Sequence, residues 1–341
     1  MPARKILVVD DEPTNLQLIN SILGRDYRLV FARSGVEALQ AAEKHRPALI
    51  LLDVCMPGMD GYAVCRTLKA QVDTAAIPVI FVTALSEDSE ESCGFDAGAV
   101  DYITKPFSPA VVSARVRTHL SLVRANELAQ SQRDAIHMLG RAGHYNDTDT
   151  GVHVWRMAAF ARALAEAIGW SQEDAEQLEL AAPMHDMGKI GIPHTILRKP
   201  AALDAQEWAV MKTHARIGHD ILSTGEAPLF KLAAEVALRH HEKWDGSGYP
   251  DGLTGTAIPQ SARIVAVADV FDALSMKRPY KPAWPLARVL DTIKDGTGKH
   301  FDPELVEALG RRVTCIVELK AEWDEREAQL AANDPSMACC A

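Results

Sequence analysis

Positive charge is in short supply in this 341-residue sequence: 36 lysines and arginines face 46 acidic residues, for a net charge of -10. That balance argues against broad binding to nucleic acid or to an anionic membrane. Long apolar runs are missing too, and none approaches the roughly 18 residues of a membrane helix. The opening MPARKILVVDDE reaches acids before a signal-peptide core could form, so a cytoplasmic location is expected. Cysteine is scarce. Cys55, Cys65, Cys93, Cys315, Cys339 and Cys340 form no CxxC pair, which speaks against a disulfide scaffold and against a thiolate metal site. No repeat, low-complexity tract or DNA-binding element stands out, and a transcription-factor output is not expected.

What is present reads as two domains of ordinary globular composition, 48% hydrophobic and 24% charged. Lys5–Asp10, Tyr27–Ala32, Leu49–Val54, Pro78–Ala84 and Asp101–Pro106 are short apolar runs that predict five strands. Helical patterns begin between them near Asn15, Gly35, Gly61 and Ser86. Strands alternating with helices imply a doubly wound α/β domain with a parallel sheet covered on both faces. A further helix starts at Ser108, turns polar near Glu127 and regains apolar residues at Ile136 and Leu139, as a connecting helix would. Beyond Asn146 amphipathic segments dominate: Val152–Ile168, Gln172–Asp186, Glu207–Leu222, Leu229–His241 and Ala262–Leu274. The second domain is therefore expected to be all-α. The expected layout is 1–121, a helical linker 122–140, a second domain 141–312 and a C-terminal helix and tail 313–341.

In such a sheet the carboxyl ends of the strands converge on one crevice. Asp10 and Asp11, Asp53, Thr83 and Lys105 all stand at strand ends. Crowded carboxylates need a hard cation, and Mg²⁺ would let Asp53 meet a phosphoryl group as the nucleophile. The motifs VVDDE (Val8–Glu12), LLDVCMPGMDG (Leu51–Gly61), VTA (Val82–Ala84) and DYITKPF (Asp101–Phe107) resemble a response-regulator receiver domain, flavodoxin-like in fold. The resemblance implies phosphorylation of Asp53 by a histidine kinase and Mg²⁺ held at Asp11, Asp53 and the Cys55 carbonyl. It also implies switch roles for Thr83 and Tyr102, a phosphoryl contact for Lys105 and a cis Lys105–Pro106 bond.

The second half holds nine of the twelve histidines. A lone histidine is more often a hydrogen-bonded core or surface residue than a ligand. An ordered series is different: HxxR (His153–Arg156), HDMGKI (His185–Ile190), MKTH (Met211–His214), HHEKWDGSGYPDGLTG (His240–Gly255) and VADVFDAL (Val267–Leu274). Imidazoles and carboxylates in such numbers suit Mn, Fe, Co, Ni or Zn, and a carboxylate next to an imidazole could bridge two cations that clamp a phosphodiester. The series, with RPYK at Arg278–Lys281, resembles the HD-GYP subgroup of HD phosphohydrolases over about residues 141–312.

That likeness implies a metal-dependent phosphodiesterase that converts cyclic di-GMP to pGpG or on to GMP. Carried over by motif, the ligands of a binuclear site are His153, His185, Asp186, His214, His240, His241 and Asp269, with Asp186 bridging. Lys189, Tyr249, Asp272, Arg278 and Lys281 are the expected substrate contacts, the cations among them supplying local positive charge. Asp149 stands where some family members place a glutamate that helps to hold a third metal, and its shorter side chain favours two metals here. Control by Asp53 is expected to pass along the connecting helix through a homodimer. Two other readings stay open: a non-catalytic cyclic-dinucleotide sensor or partner-binding module, and a hydrolase of another nucleotide.

Overall fold

The computed structural model describes residues 4–83, 96–144, 153–276 and 283–333. They belong to two compact units, Met1–Ser131 and Gln132–Ala341. In the first, β1 (Lys5–Val9), β2 (Arg28–Ala32), β3 (Leu49–Asp53), β4 (Val79–Thr83) and β5 (Asp101–Thr104) form a parallel sheet in the order β2-β1-β3-β4-β5. Each strand lies within two residues of its predicted limits. Pleating sends alternate residues to opposite faces. Leu7, Val9, Ile50 and Leu52 therefore pack on one side, while Ile6, Val8, Leu49 and Leu51 pack on the other. Both faces are dry, which explains why these strands read as continuous apolar runs rather than alternating ones.

The first helix, Pro13–Leu23, starts two residues earlier than predicted, because Pro13 fits a first helical position where no backbone donor is needed. Ser34 and Asp60 cap the helices Gly35–His45 and Gly61–Ala70 by accepting from the N–H groups of Glu37 and Ala63. The helix predicted near Ser86 lies outside the described residues. The connecting segment is a single helix, Pro109–His144, with Val112, Val116 and Leu120 buried against the sheet.

The second unit is helical apart from isolated bridges. Two predicted helices are broken. Gln172–Asp186 ends as an α-helix at Ala181 and continues as the 3₁₀ turns Ala182–Met184 and Met187–Gly191. Pro183 cannot donate a backbone hydrogen bond, so the ladder stops there. Glu207–Leu222 is two helices, Ala205–Met211 and His214–Leu222. The first has a full capping box at Asp204 and Glu207. Helices His153–Ala167, Pro228–Arg239, Gln260–Ser275 and Leu286–Asp295 and the long helix Pro303–Asn333 complete the unit. That last helix runs without a break through the expected boundary at 312. Its Leu305, Leu309 and Ile316 lie in the same core as Phe160, Val265 and Phe271.

Candidate functional site

Two clusters form where the sequence concentrates chemistry. At the carboxyl edge of the sheet, Asp10, Asp11 and Asp53 each offer an oxygen within 4.8 Å of the others. Lys105 Nζ donates to Asp10 Oδ2 and to Asp53 Oδ2, both at 2.9 Å. Asp10 also accepts from the Glu12 N–H at 2.9 Å and from Asn15 Nδ2 at 3.0 Å. The Cys55 N–H lies 3.4 Å from Asp53 Oδ1. Burial pushes the Asp53 carboxyl above its usual pKa, against the hydrogen bond and charge of Lys105. Burial also opposes the charge on Lys105, but the two carboxylates outweigh it and raise the ammonium's pKa. A carboxylate beside a fixed ammonium, with a second acid pair at hand, can take up a phosphoryl group and have its new charge met at once.

Lys105–Pro106 is cis, as expected. Thr83 ends β4 and is half-buried. Tyr102 is half-buried on β5, and the Arg115 guanidinium stands 5.6 Å from the centre of its ring. Arg115 also pairs with Asp101, which receives His119 Nε2 at 3.0 Å.

In the second unit Asp186, His214, His240 and His241 bring ligand atoms within 4.8 Å of one another. Chain breaks create this nest. Asp186 sits between the two 3₁₀ turns, His214 opens its helix, and His240 and His241 follow the end of Pro228–Arg239. A side chain at Gly188 would meet the His214 carbonyl oxygen at 1.8 Å, so only glycine lets the Asp186 turn lie against the His214 helix.

The tautomers are set from behind. His185 Nδ1 faces the Ala182 carbonyl at 2.8 Å, His214 Nδ1 faces Met211 at 2.7 Å, and His240 Nδ1 faces Ala237 at 3.0 Å. A carbonyl can only accept, so each Nδ1 carries a proton and each ring turns its Nε2 inward. Asp186 Oδ1, His214 Nε2 and His240 Nε2 are buried with no hydrogen-bond partner among the described residues. The nearest approaches, 3.4 Å from His214 Nε2 and 3.7 Å from His240 Nε2 to Asp186 Oδ1, join acceptors to an acceptor. Orphaned buried acceptors cost free energy that a bound cation would recover. These donors fit a divalent transition metal.

The electrostatics agree. Burial lowers His214 to about 4 and holds His241 well below its usual value, so both are neutral. Burial opposes protonation of His185, but the adjacent Asp186 charge prevails and lifts it to about 9. Asp186 resists its own burial and stays ionised, helped by Lys189, whose Nζ is 2.8 Å from Oδ2. His185 and Asp269 stand outside the four-residue group. His185 Nε2 is 3.2 Å from Asp186 Oδ2, and the charge of Asp269 raises the pKa of His185.

Tyr249 stacks on His241, with ring centres 4.7 Å apart and planes 29° apart. The loop carrying it is organised by Glu242, a residue not singled out from the sequence. Glu242 is 2% exposed and accepts from the N–H groups of Asp251 at 2.9 Å and Leu253 at 3.0 Å. Its signal was an acid directly after a histidine pair and ahead of a Gly- and Pro-rich loop, which has many backbone donors to satisfy. Asp272 requires a correction. Expected to touch substrate, it is 1% exposed, and its two oxygens receive Arg156 Nε at 2.6 Å and Nη2 at 3.2 Å. A carboxylate sealed against a fully buried guanidinium ties helix Gln260–Ser275 to helix His153–Ala167 and is out of reach of a solute. Arg156 also donates to Asp324 at 3.0 Å on the last helix. The side chain of His153, and Asp149, Arg278 and Lys281, lie outside the described residues.

Comparison with known proteins also finds two parts. Residues 6–117 match the response regulator receiver domain, and residues 122–305 match the HD domain. The chain is 38% identical to "Cyclic di-GMP phosphodiesterase response regulator RpfG" of Xanthomonas campestris, over 90% of this chain and 87% of that protein. It is 34% identical to a "Cyclic di-GMP phosphodiesterase" of Thermotoga maritima, over 94% of each. A "3'3'-cGAMP-specific phosphodiesterase 2" of Vibrio cholerae is 44% identical over 54% of this chain and 35% of its own length. Among the described residues no helix is long and apolar enough to cross a membrane. With a carboxylate pocket on the sheet, a histidine and aspartate nest among the helices, and likeness running through both, the chain belongs to the response regulators that carry a receiver domain ahead of an HD phosphodiesterase domain.

Proposed function

We propose that phosphorylation of Asp53 by a histidine kinase controls metal-dependent hydrolysis of cyclic di-GMP, to pGpG or on to GMP, in the helical half of this chain. The observation that carries the reading is the convergence of Asp186, His214, His240 and His241 with three buried ligand atoms unsatisfied among the described residues. The substrate is taken from the named activities of relatives that match both halves. His153, His185, Asp186, His214, His240, His241 and Asp269 would hold two divalent cations. Bound there, the cations would supply the concentrated positive charge that polarises a phosphodiester.

The chain's own residues do the rest. Backbone carbonyls fix the imidazoles, and Lys189 steadies Asp186 at 2.8 Å. Lys189, Arg278 and Lys281 would meet the two phosphates of the dinucleotide, with Tyr249 beside them. In the receiver, Asp10, Asp11, Asp53 and the Cys55 carbonyl surround the place for Mg²⁺, Lys105 would pair with the phosphoryl group, and Thr83 and Tyr102 would respond to it. The working units in this reading are 1–121, 122–140, 141–312 and 313–341, in a cytoplasmic homodimer.

The test incubates the purified protein with cyclic di-GMP and Mn²⁺ or Fe²⁺, with and without acetyl phosphate, and resolves the products chromatographically. The expected result is linear product, formed at a rate that changes on phosphorylation. Intact substrate under both metals would remove the enzyme and leave a binding module. The likeness to the cGAMP-specific enzyme of Vibrio cholerae favours a second reading, hydrolysis of a hybrid dinucleotide. A parallel incubation with 3'3'-cGAMP decides between them by relative kcat/KM.

A further inference from the structure

Trp208 is the least expected side chain beside the metal nest. Tryptophan carries a large apolar surface that is normally buried or covered by a partner, yet Trp208 is 47% exposed on helix Ala205–Met211. It was not among the residues expected to touch substrate, and its surroundings lead directly to the candidate ligands. Its ring centre is 6.3 Å from that of Tyr249, at 81°, and Tyr249 in turn lies flat on His241. Tyr249 is also 6.3 Å from the ring of His214. A row of aromatic rings thus runs from the nest to the surface and ends in an open indole.

The contact with Tyr249 is T-shaped, so Tyr249 can cover at most one face of the indole. Trp208 makes no other ring contact among the described residues. Cations border the row: Lys212 Nζ is 5.9 Å from the centre of the Tyr249 ring, and Lys189 is bound to Asp186. A ligand whose phosphate sits at the nest and whose flat base extends along the rings would meet cation, imidazole, phenol and indole in turn. Bases stack on aromatic side chains through faces that every base possesses.

We propose that Trp208 is a base-stacking residue that holds one purine of a cyclic dinucleotide whose phosphate is at the metal nest. This rests on the proposed function and extends it, since it identifies a specificity contact made by the base rather than by the phosphate. Trp208 is too far along the row to act on the reacting bond, so its contribution lies in binding.

Binding to the full-length, Mn²⁺-loaded protein, measured by rapid mixing before turnover, tests this. The probes are cyclic di-GMP and inorganic phosphate, and the proteins are wild type, Trp208→Ala and Trp208→Phe. Loss of one stacked base weakens affinity by about 5- to 150-fold. Trp208→Ala should therefore bind cyclic di-GMP that much more weakly, Trp208→Phe should recover most of the loss, and phosphate should bind all three alike. If Trp208→Ala binds cyclic di-GMP within about twofold of wild type, well below that range, the stacking role is wrong while the proposed function stands. Equal losses for both probes would mean a damaged nest and would also overturn it. Wild-type protein that binds phosphate but no cyclic dinucleotide would sink the proposed function, and the stacking role with it.

Discussion

In the receiver pocket the buried carboxylates of Asp10 and Asp53 share the Lys105 ammonium at 2.9 Å, and Asp10 takes further donors from Glu12 and Asn15. In the helical unit Asp186 Oδ1, His214 Nε2 and His240 Nε2 are buried with no such partner among the described residues. Both places gather acids or lone pairs that would repel if left alone. In the first, a protein cation already provides much of the compensation, so a metal bound there would be an added ligand that could come and go. In the second, among the described residues, protein cations meet only Asp186 Oδ2, from Lys189 and from His185. The remaining lone pairs face one another, so a bound cation would stabilise the site.

The largest expected effect separates the two centres by mutation. Asp186→Asn should strip metal from the helical unit and lower hydrolysis by at least about a hundredfold, since even the outer-shell partners of metal ligands cost 10- to 100-fold. Asp53→Asn should abolish labelling by acetyl phosphate while the metal content stays that of the wild type. Elemental analysis and phosphate-affinity gels read both, and equal metal loss in the two variants would erase the distinction.

A smaller effect concerns stability. Removing a metal that had been present at about a hundred times its Kd should cost the helical unit roughly 3 kcal/mol, or about 5–10 °C in Tm. The receiver transition should move far less when Mg²⁺ is withdrawn, because Lys105 still neutralises its carboxylates. Calorimetry with and without chelator checks this, and matching shifts in both transitions would contradict it.

The smallest effect is in proton balance. His185 is raised to about 9 and His214 is lowered to about 4. At pH 7 a cation must therefore displace the proton of His185 but finds His214 already free. Metal uptake should release about one proton, and affinity should climb with pH until His185 deprotonates on its own near 9. Titration calorimetry in two buffers of different ionisation enthalpy measures the release. Uptake without any proton release would place His185 outside the ligand set.

The sheet was legible because its signal is local. Five apolar runs, four of them with Asp10, Asp53, Thr83 or Lys105 at their ends, carry strand, order and crevice together, since parallel strands must deliver those ends to one edge. The helical unit was legible as motifs but not as geometry. The breaks at Pro183 and at Lys212–Thr213 escaped the helical periodicity, although they are what turn Asp186 and His214 toward each other. Asp272 was misread for a related reason. Its motif neighbourhood suggested substrate, whereas its burial depends on Arg156, 116 positions away in the chain. Glu242 and Trp208 were missed because an acid in a loop and a tryptophan on a short helix have no periodic signature. Only their surroundings give them a role.

Composition, strand endings and the ordered histidine motifs by themselves determined the two-part architecture and the kind of chemistry each part can hold. Tertiary structure alone decided which ligand atoms converge, which nitrogen of each imidazole faces inward and which carboxylate is closed off by an arginine. The physical reason is range. Secondary structure and residue chemistry follow from neighbours a few positions apart, whereas desolvation and metal-ligand geometry depend on groups brought together by packing from distant parts of the chain.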